Sequence, residues 1–347
     1  MNRRSIIKTG FVYSFLLIVI LFFGVTSALA AEKIIMRVGH GDAVDTYKSR
    51  KHSQMLTFKE LVNANSNGRI EVQLHGGGSV GSERELCEAV IQGTMHASSI
   101  SASIGPFYPP EMVLGIPYLF PNSQVAWDVL DGPFGKKLSE GLVKKQGIRN
   151  LAFGEVGFRN FTNNKRPIRT PKDLQGLKIR VMETPLYINM VKALGAGATP
   201  VPWTEVYTAL QQGTVDGQEN PVAVILSAKL QEVQKYITLD GHTYAEDWFI
   251  VNEKFYQSLP KDLQKVVRDA AEVSATVSRG VQQLNSAIGV AELQKAGVQV
   301  YVPTPQEKEL FRKATQKPVI DWLKTKIDPK LIDEAFKAVA EASKKHP

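Results

Sequence analysis

Short apolar runs alternate along the chain with stretches whose apolar residues recur every three to four positions, the pattern of an α/β protein. Ile34 to Val38 reads as a strand, Tyr47 to Ala64 as a helix, and Ile70-Glu71-Val72-Gln73-Leu74 as an alternating strand; a helix over Glu83 to Gln92 and a strand over Ala97 to Ile100 complete a first unit. Leu174 to Val181 opens a second unit, after Thr170 caps a turn with Pro171 at its first position. A helix from Pro185 to Leu194, a strand from Ala198 to Val201 and a strand at Trp248-Phe249-Ile250-Val251 follow. The pattern from Leu259 to Lys295 predicts a helix of about 35 residues, roughly 50 Å long, too long for one small domain. Two lobes with this helix as a spine account for it. The chain is expected to cross between them near Gly157 and Tyr244 and again within the long helix. That assigns residues 31–156 plus 246–285 to lobe I and 157–245 plus 286–347 to lobe II. Helices near Pro305 to Lys324 and Pro329 to Ser343 are expected to pack on the second lobe.

The first 30 residues break this pattern. Arg3, Arg4 and Lys8 precede an apolar run from Phe11 to Val25, and Ala28-Leu29-Ala30 has the small residues of a cleavage site, so residues 1–30 read as a signal peptide cleaved near Ala30. The run is about 15 residues, short of the roughly 20 a membrane-spanning helix needs. Arg3-Arg4-Ser5-Ile6-Ile7-Lys8 also resembles a twin-arginine export motif, which leaves the Sec and Tat routes both open. Either route places the protein outside the cytoplasm, in the periplasm. Loss of the leader lowers the formal net charge from +8 to +5, because Arg3, Arg4 and Lys8 leave with it and no acid does. Such mild basicity suits the attraction of anionic solutes. The Lys and Arg residues are spread along the chain, without the clustering that nucleic-acid binding needs. Cys87 is the one cysteine, so no intramolecular disulfide forms, and its place after Leu86 on a helix gives it a packing role.

One run carries more than packing. In Trp203 to Pro221 (WTEVYTALQQGTVDGQENP), Thr204 is placed to cap a short helix, Val206 and Leu210 form its apolar stripe, and Gly213 ends it in the left-handed conformation. Asp216 to Asn220 then reads as a polar connector, with Pro221 holding Asn220 extended. This block resembles the signature of the solute-binding proteins of tripartite ATP-independent periplasmic (TRAP) transporters. The resemblance implies an α/β, two-lobed periplasmic binding protein fold with a central ligand cleft. It also implies a receptor, not an enzyme, that hands a small organic acid anion to the TRAP membrane permease subunits.

The resemblance assigns the site residue by residue. Arg180, in the strand Lys178-Ile179-Arg180-Val181, matches the arginine that makes a bidentate contact with the ligand carboxylate, a geometry for which a guanidinium fork is suited. Arg159 in Gly157-Phe158-Arg159-Asn160 matches a second basic contact, Asn220 the amide that completes carboxylate recognition, and Trp203 an aromatic that packs on the ligand. Ser82 or Glu83, and Ser101, match first-lobe positions that reach the ligand's far end. Glu183 departs from the sialic-acid-binding branch, where an uncharged residue is often found. An acid there accepts hydrogen bonds from hydroxyls and repels a second carboxylate. The expected ligand is therefore a hydroxylated monoacid such as a uronate or aldonate, with a C4-dicarboxylate or 2-oxo acid as the alternative; Glu183 pairing with a nearby lysine, or offsetting Arg180, stays open.

His75-Gly76-Gly77-Gly78-Ser79-Val80-Gly81 matches two enzyme patterns. As a dinucleotide fingerprint it fails, because Glu83 and Glu85 occupy the helix turn where a pyrophosphate needs unopposed amides, and Ser-rich sequence replaces the ribose-binding acid. As a nucleophile elbow, Ser79 has His242 as its one usable later base, which makes an exported serine hydrolase the enzyme alternative. The six histidines lack metal-ligand spacing. No catalytic residue, metal ligand or cofactor site is expected.

Overall fold

The computed structural model describes residues 33–346, so the expected leader and its cleavage site lie outside the described residues. The strands are β1 (Ile34–Gly39), β2 (Ile70–His75), β3 (Ala97–Ile100), β4 (Ile148–Asn163), β5 (Lys178–Val181), β6 (Gly197–Pro200), β7 (Gly217–Asn220), β8 (Tyr236–Asn252) and β9 (Gln299–Tyr301). The helices are α1 (Arg50–Asn65), α2 (Glu83–Gln92), α3 (Ser123–Asp131), α4 (Pro133–Gln146), α5 (Pro185–Ala193), α6 (Val206–Gln211), α7 (Val222–Ser227), α8 (Glu253–Ser258), α9 (Lys261–Lys295), α10 (Pro305–Leu323) and α11 (Pro329–Ser343). Among the described residues no helix is long and apolar enough to cross a membrane.

The strands join in one sheet, ordered β2-β1-β3-β8-β4-β7-β5-β6, with β9 also on β8. Its two ends are short parallel groups, and each belongs to one lobe of a two-lobed α/β fold. Antiparallel β4 and β8 run through the middle and tie the lobes together. Their register slips between Glu155 and Gly157, where Gly157 takes φ +98°, next to the expected crossing point. Such a bulge bends and twists a paired strand locally.

The 35-residue α9 is the expected spine. Its Leu263, Val267 and Ala271 pack with Met36, Val38, Phe58 and Phe249 at one end of the molecule, while Leu293 packs with Val206, Leu210 and Ile225 at the other. The opposite face of the sheet carries a continuous core from Leu86 and Val125 through Trp248 to Ile179 and Met190. Helix ends follow local chemistry: Ser82 and Glu85 form a capping box on α2, which Gly93 ends in the left-handed conformation, and Thr304 and Glu307 form another on α10.

Three expectations need correcting. The C-terminal helices do not share one lobe: α10 packs on α5, but α11 packs on α3, α4 and the 3-10 segment Pro109–Gly115. The buried stripe of α11 (Leu331, Ile332, Ala335, Val339) finds its apolar partners there, in the cluster that holds Val125, Leu130 and Leu138. Nor does Thr204 cap a helix. Trp203–Glu205 is a 3-10 turn running straight into α6, without a side-chain cap. The polar connector expected after Gly213 is in fact β7, buried between β4 and β5.

Candidate functional site

Between the lobes lies a cavity. The β1–β2–β3 side contributes Asp42, Arg50, Glu83, Ser101 and Ser103, and the other side Arg159, Arg180, Met182, Glu183, Trp203 and Asn220, with Val156 and Val224 completing the wall. Seven of the eight residues expected from the sequence thus meet at one cavity. Ser82 does not: its hydroxyl accepts from the Glu85 backbone N–H as the N-cap of α2.

Arg180 is 2% exposed, the third residue of β5. Its Nε and Nη2 both donate to the Val201 carbonyl, at 2.9 and 2.7 Å, and its Nη1 is buried with no hydrogen-bond partner among the described residues. Buried Arg50 and Arg159 each hold a carboxylate, whereas Arg180 forms no ion pair among the described residues. Burial accordingly pulls the guanidinium down to about 10 despite the field of Glu219. An unpaired buried cation costs roughly several kcal/mol, a cost that an anion in the cavity would offset. Trp203 lies beneath it, with Arg180 Cζ 5.7 Å from the ring centroid.

Arg159 lines the same cavity but, unlike Arg180, has a carboxylate of its own. It grips Glu219 with Nε and Nη2, the latter also donating to the Glu219 carbonyl at 2.7 Å, and its Cζ sits 5.2 Å from the Tyr187 ring centroid. Glu219 in turn faces His242 Nε2 at 3.3 Å, and His242 Nδ1 faces Asp240 at 2.9 Å. Burial opposes the imidazolium, but Asp240 and Glu219 outweigh it and push His242 up to about 9. Burial likewise raises Glu219, yet Arg159 and His242 hold it below the usual carboxylate range. Of the arginine's three nitrogens, Nη1 alone has no hydrogen-bond partner among the described residues. Asn220 donates one amide hydrogen to Gln218 at 2.6 Å, which leaves its second N–H and its oxygen for other partners.

The hydrolase alternative finds no support in this geometry. Ser79 is exposed on the glycine-rich loop, and both ring nitrogens of His242 face carboxylates, so no base stands ready for a Ser79 hydroxyl. Glu183 is half-buried at the cavity and pairs with no lysine among the described residues.

Sequence reasoning missed Asp42, Arg50, Ser103, Val156, Met182 and Val224. Asp42 and Arg50 are joined at 2.8 Å, and Arg50 Nε reaches Asp247 on β8 at 2.8 Å. The one signal in the sequence was Asp247 itself, an acid directly before the apolar Trp248 to Val251. Its partner is 197 positions away, and no periodicity could supply it.

The family model for the bacterial extracellular solute-binding proteins, family 7, matches residues 41–325. A solute-binding protein of Verminephrobacter eiseniae is 41% identical over 79% of this chain and 81% of its own length. The sugar acid binding protein DctPAm of Advenella mimigardefordensis, solved in complex with galactonate, superposes with a TM-score of 0.85 at 35% identity, over 89% of this chain and 99% of its own. A TRAP periplasmic solute binding protein of Sulfurospirillum deleyianum, solved with succinate, superposes with a TM-score of 0.82 at 28% identity, over 87% of this chain and 98% of its own. With the two-lobed fold, the interlobe cavity and these matches together, the chain belongs to the bacterial extracellular solute-binding proteins of family 7, the periplasmic receptors of TRAP transporters, which bind organic acid anions and are not enzymes.

Proposed function

We propose that this protein captures a hydroxylated monocarboxylate, an aldonate or uronate, in the periplasm and delivers it to the permease subunits of its TRAP transporter. The observation that carries the reading is Arg180: a buried guanidinium with a free Nη1 and no carboxylate of its own. Arg180 holds the ligand carboxylate, Arg159 Nη1 and the Asn220 amide complete the clamp, and Trp203 packs against the ligand. Across the cavity Asp42 and Glu83 are acids, and Glu183 stands on the same side as Arg180. They suit the hydroxyls of a sugar acid and disfavour a second carboxylate. The galactonate complex of DctPAm supports the same class, while the succinate complex keeps the C4-dicarboxylate alternative in the test.

The lobes, 31–156 plus 246–285 with α11 packed on it, and 157–245 plus the chain from 286 through α10, close about the β4 and β8 crossings as a hinge, and the ligand shifts the balance by bonding both. The leader, residues 1–30, is removed near Ala30. Calorimetry on the mature protein tests the reading: galactonate or galacturonate binds saturably and succinate does not. Arg180→Ala lowers affinity roughly 30- to several-thousand-fold, as for truncation of a buried charge partner. A change under threefold, or stabilisation by dicarboxylates alone, refutes it.

A further inference from the structure

Lobe I meets the cavity through a ladder of buried charges contributed by three separate elements. Asp42 Oδ2 accepts from Arg50 Nη1 at 2.8 Å, and Arg50 Nε donates to Asp247 Oδ2 at 2.8 Å. Lys51 Nζ lies 3.2 Å from Asp247 Oδ1 and also bonds Glu83 Oε1. From Asp42 to Glu83 the signs alternate, beginning and ending on an acid: three carboxylates, two cations, net charge −1. Both ends of the ladder line the cavity, whereas Lys51 is fully buried behind Glu83 and is absent from the cavity wall. Asp247 anchors the middle, with its carboxyl below the usual range because Arg50 and Lys51 overcome the effect of burial.

The serines of this wall donate inward. Ser101 Oγ gives its hydrogen to Asp247 at 2.7 Å, and Ser103 Oγ gives its own to Glu83 Oε2 at 2.9 Å. Arg50 also lines this wall, but its Nε and Nη1 are held by Asp247 and Asp42, so what the wall presents toward the ligand is mainly acceptors. Gly41, next to Asp42 in the chain, borders both Glu83 and Trp203: a Cβ there would sit 3.8 Å from Glu83 Cγ and 3.9 Å from Trp203 Cδ1, so the acids and the aromatic share one corner of the site. A carboxylate taken out of water is costly unless paired, and a long acidic side chain without a fixed partner has many rotamers.

We propose that Arg50 and Lys51 are positioning residues that hold the Asp42 and Glu83 carboxylates at the cavity wall as hydroxyl acceptors, so that lobe I selects ligands by their hydroxyl groups. Lys51 never touches the ligand and acts through Glu83. The inference rests on the monocarboxylate reading above and adds to it the residues that set selectivity.

The test compares D-galactonate with hexanoate, a monocarboxylate of the same chain length without hydroxyls, by calorimetry on the mature full-length protein. The wild type is expected to prefer galactonate about 100-fold or more, the effect of a few hydrogen bonds to charged groups. Lys51→Met and Glu83→Gln should each reduce that preference roughly tenfold or more, and the double variant should lose little beyond either single one, because both act through the same carboxylate. Lys51→Arg should recover part of the preference. A purely structural lysine would weaken both ligands equally and leave their ratio unchanged. Should Lys51→Met fail to fold, the near-isosteric Asp42→Asn and Glu83→Gln variants decide the matter. Wild-type ratios in those two, or in a folded Lys51→Met, overturn the inference. A wild type that does not prefer galactonate over hexanoate overturns instead the sugar-acid reading on which it stands.

Discussion

Arg180 shows what one residue contributes, because its charge is costly wherever no anion meets it. The strand holds it between β6 and β7, its neighbours Ile179 and Val181 are buried, and two of its nitrogens are spent on one carbonyl. Replacing it by an apolar side chain removes that cost together with the function. Arg180→Met is expected to leave the melting temperature of the ligand-free protein unchanged or higher, while calorimetry shows affinity lost at least 30-fold, in line with replacement of buried charges by apolar residues elsewhere. A clear fall in melting temperature with affinity retained would mean that Arg180 serves the fold and not the ligand. The clamp role proposed for the arginine came from the resemblance of its strand to the family pattern. That it lacks a carboxylate of its own, while Arg159 has Glu219, was legible only in three dimensions.

Among the elements, the glycine-rich loop after β2 acquires a role unlike either enzyme motif it matches. Gly78 takes φ +73°, and a Cβ on it would come within 2.7 Å of Thr204 Cγ2, on the turn that leads into α6. The loop of one lobe and the turn of the other thus meet at the cleft mouth with no room for a methyl group. Gly78→Ala is expected to weaken ligand affinity roughly tenfold, about 1.4 kcal/mol, mainly through faster release from an incompletely closed cleft. Thr204→Ser removes the opposing methyl, and adding it to Gly78→Ala should restore most of the loss in a stopped-flow release assay. Absence of rescue would assign the effect to the strained backbone of residue 78. β4 and β8 resisted sequence reading for a different reason. Arg159, Asp240, His242, Glu246 and Asp247 are charged or titratable groups in strands buried on both faces, so the apolar alternation that announces a strand is missing.

For the whole molecule, these buried groups set how stability depends on pH. Burial and the proximity of Glu246 raise Glu111 well above the usual carboxylate range, and burial raises Glu246 as well. His242 is pushed up to about 9 from an ordinary 6.5. A group whose folded pKa is raised binds its proton more tightly in the native state, so its stabilisation is complete below the unfolded value and is lost as pH rises through the folded one. The carboxyl pair therefore loses its contribution as pH climbs above the usual carboxylate range, and His242 loses its own between about 6.5 and 9. His40, His52 and His96, whose values burial lowers, add stability as pH rises to about 6.5, so melting temperature is expected to decline from about pH 7 to pH 9.5. Glu111→Gln should flatten the lower part of the decline, since the amide keeps a donor for Glu246 without a second charge. His242→Gln should flatten the upper part. A wild-type melting temperature that rises over this range would contradict the assignment. Ligand acts at the same scale: a bound sugar acid at 100 times its Kd should add about 2.7 kcal/mol of stability.

Local patterns were enough for much of this protein. Caps and periodicity defined α2 and the 35-residue spine, Gly213 was placed correctly in the left-handed conformation at φ +71°, and the Trp203 to Pro221 block pointed to the family and to seven residues that do meet at one cavity. The tertiary structure alone decided the rest. It turned an apparent polar connector into the buried strand β7, sent α11 to α3 and α4, gave Arg159 to Glu219, and built the ladder from Asp42 to Glu83. The physical reason is range. Backbone conformation and amphipathicity are set by neighbours within a few residues, whereas a buried charge is stable only through a partner that the fold alone brings to it, 60 positions away for Arg159 and 197 for Arg50.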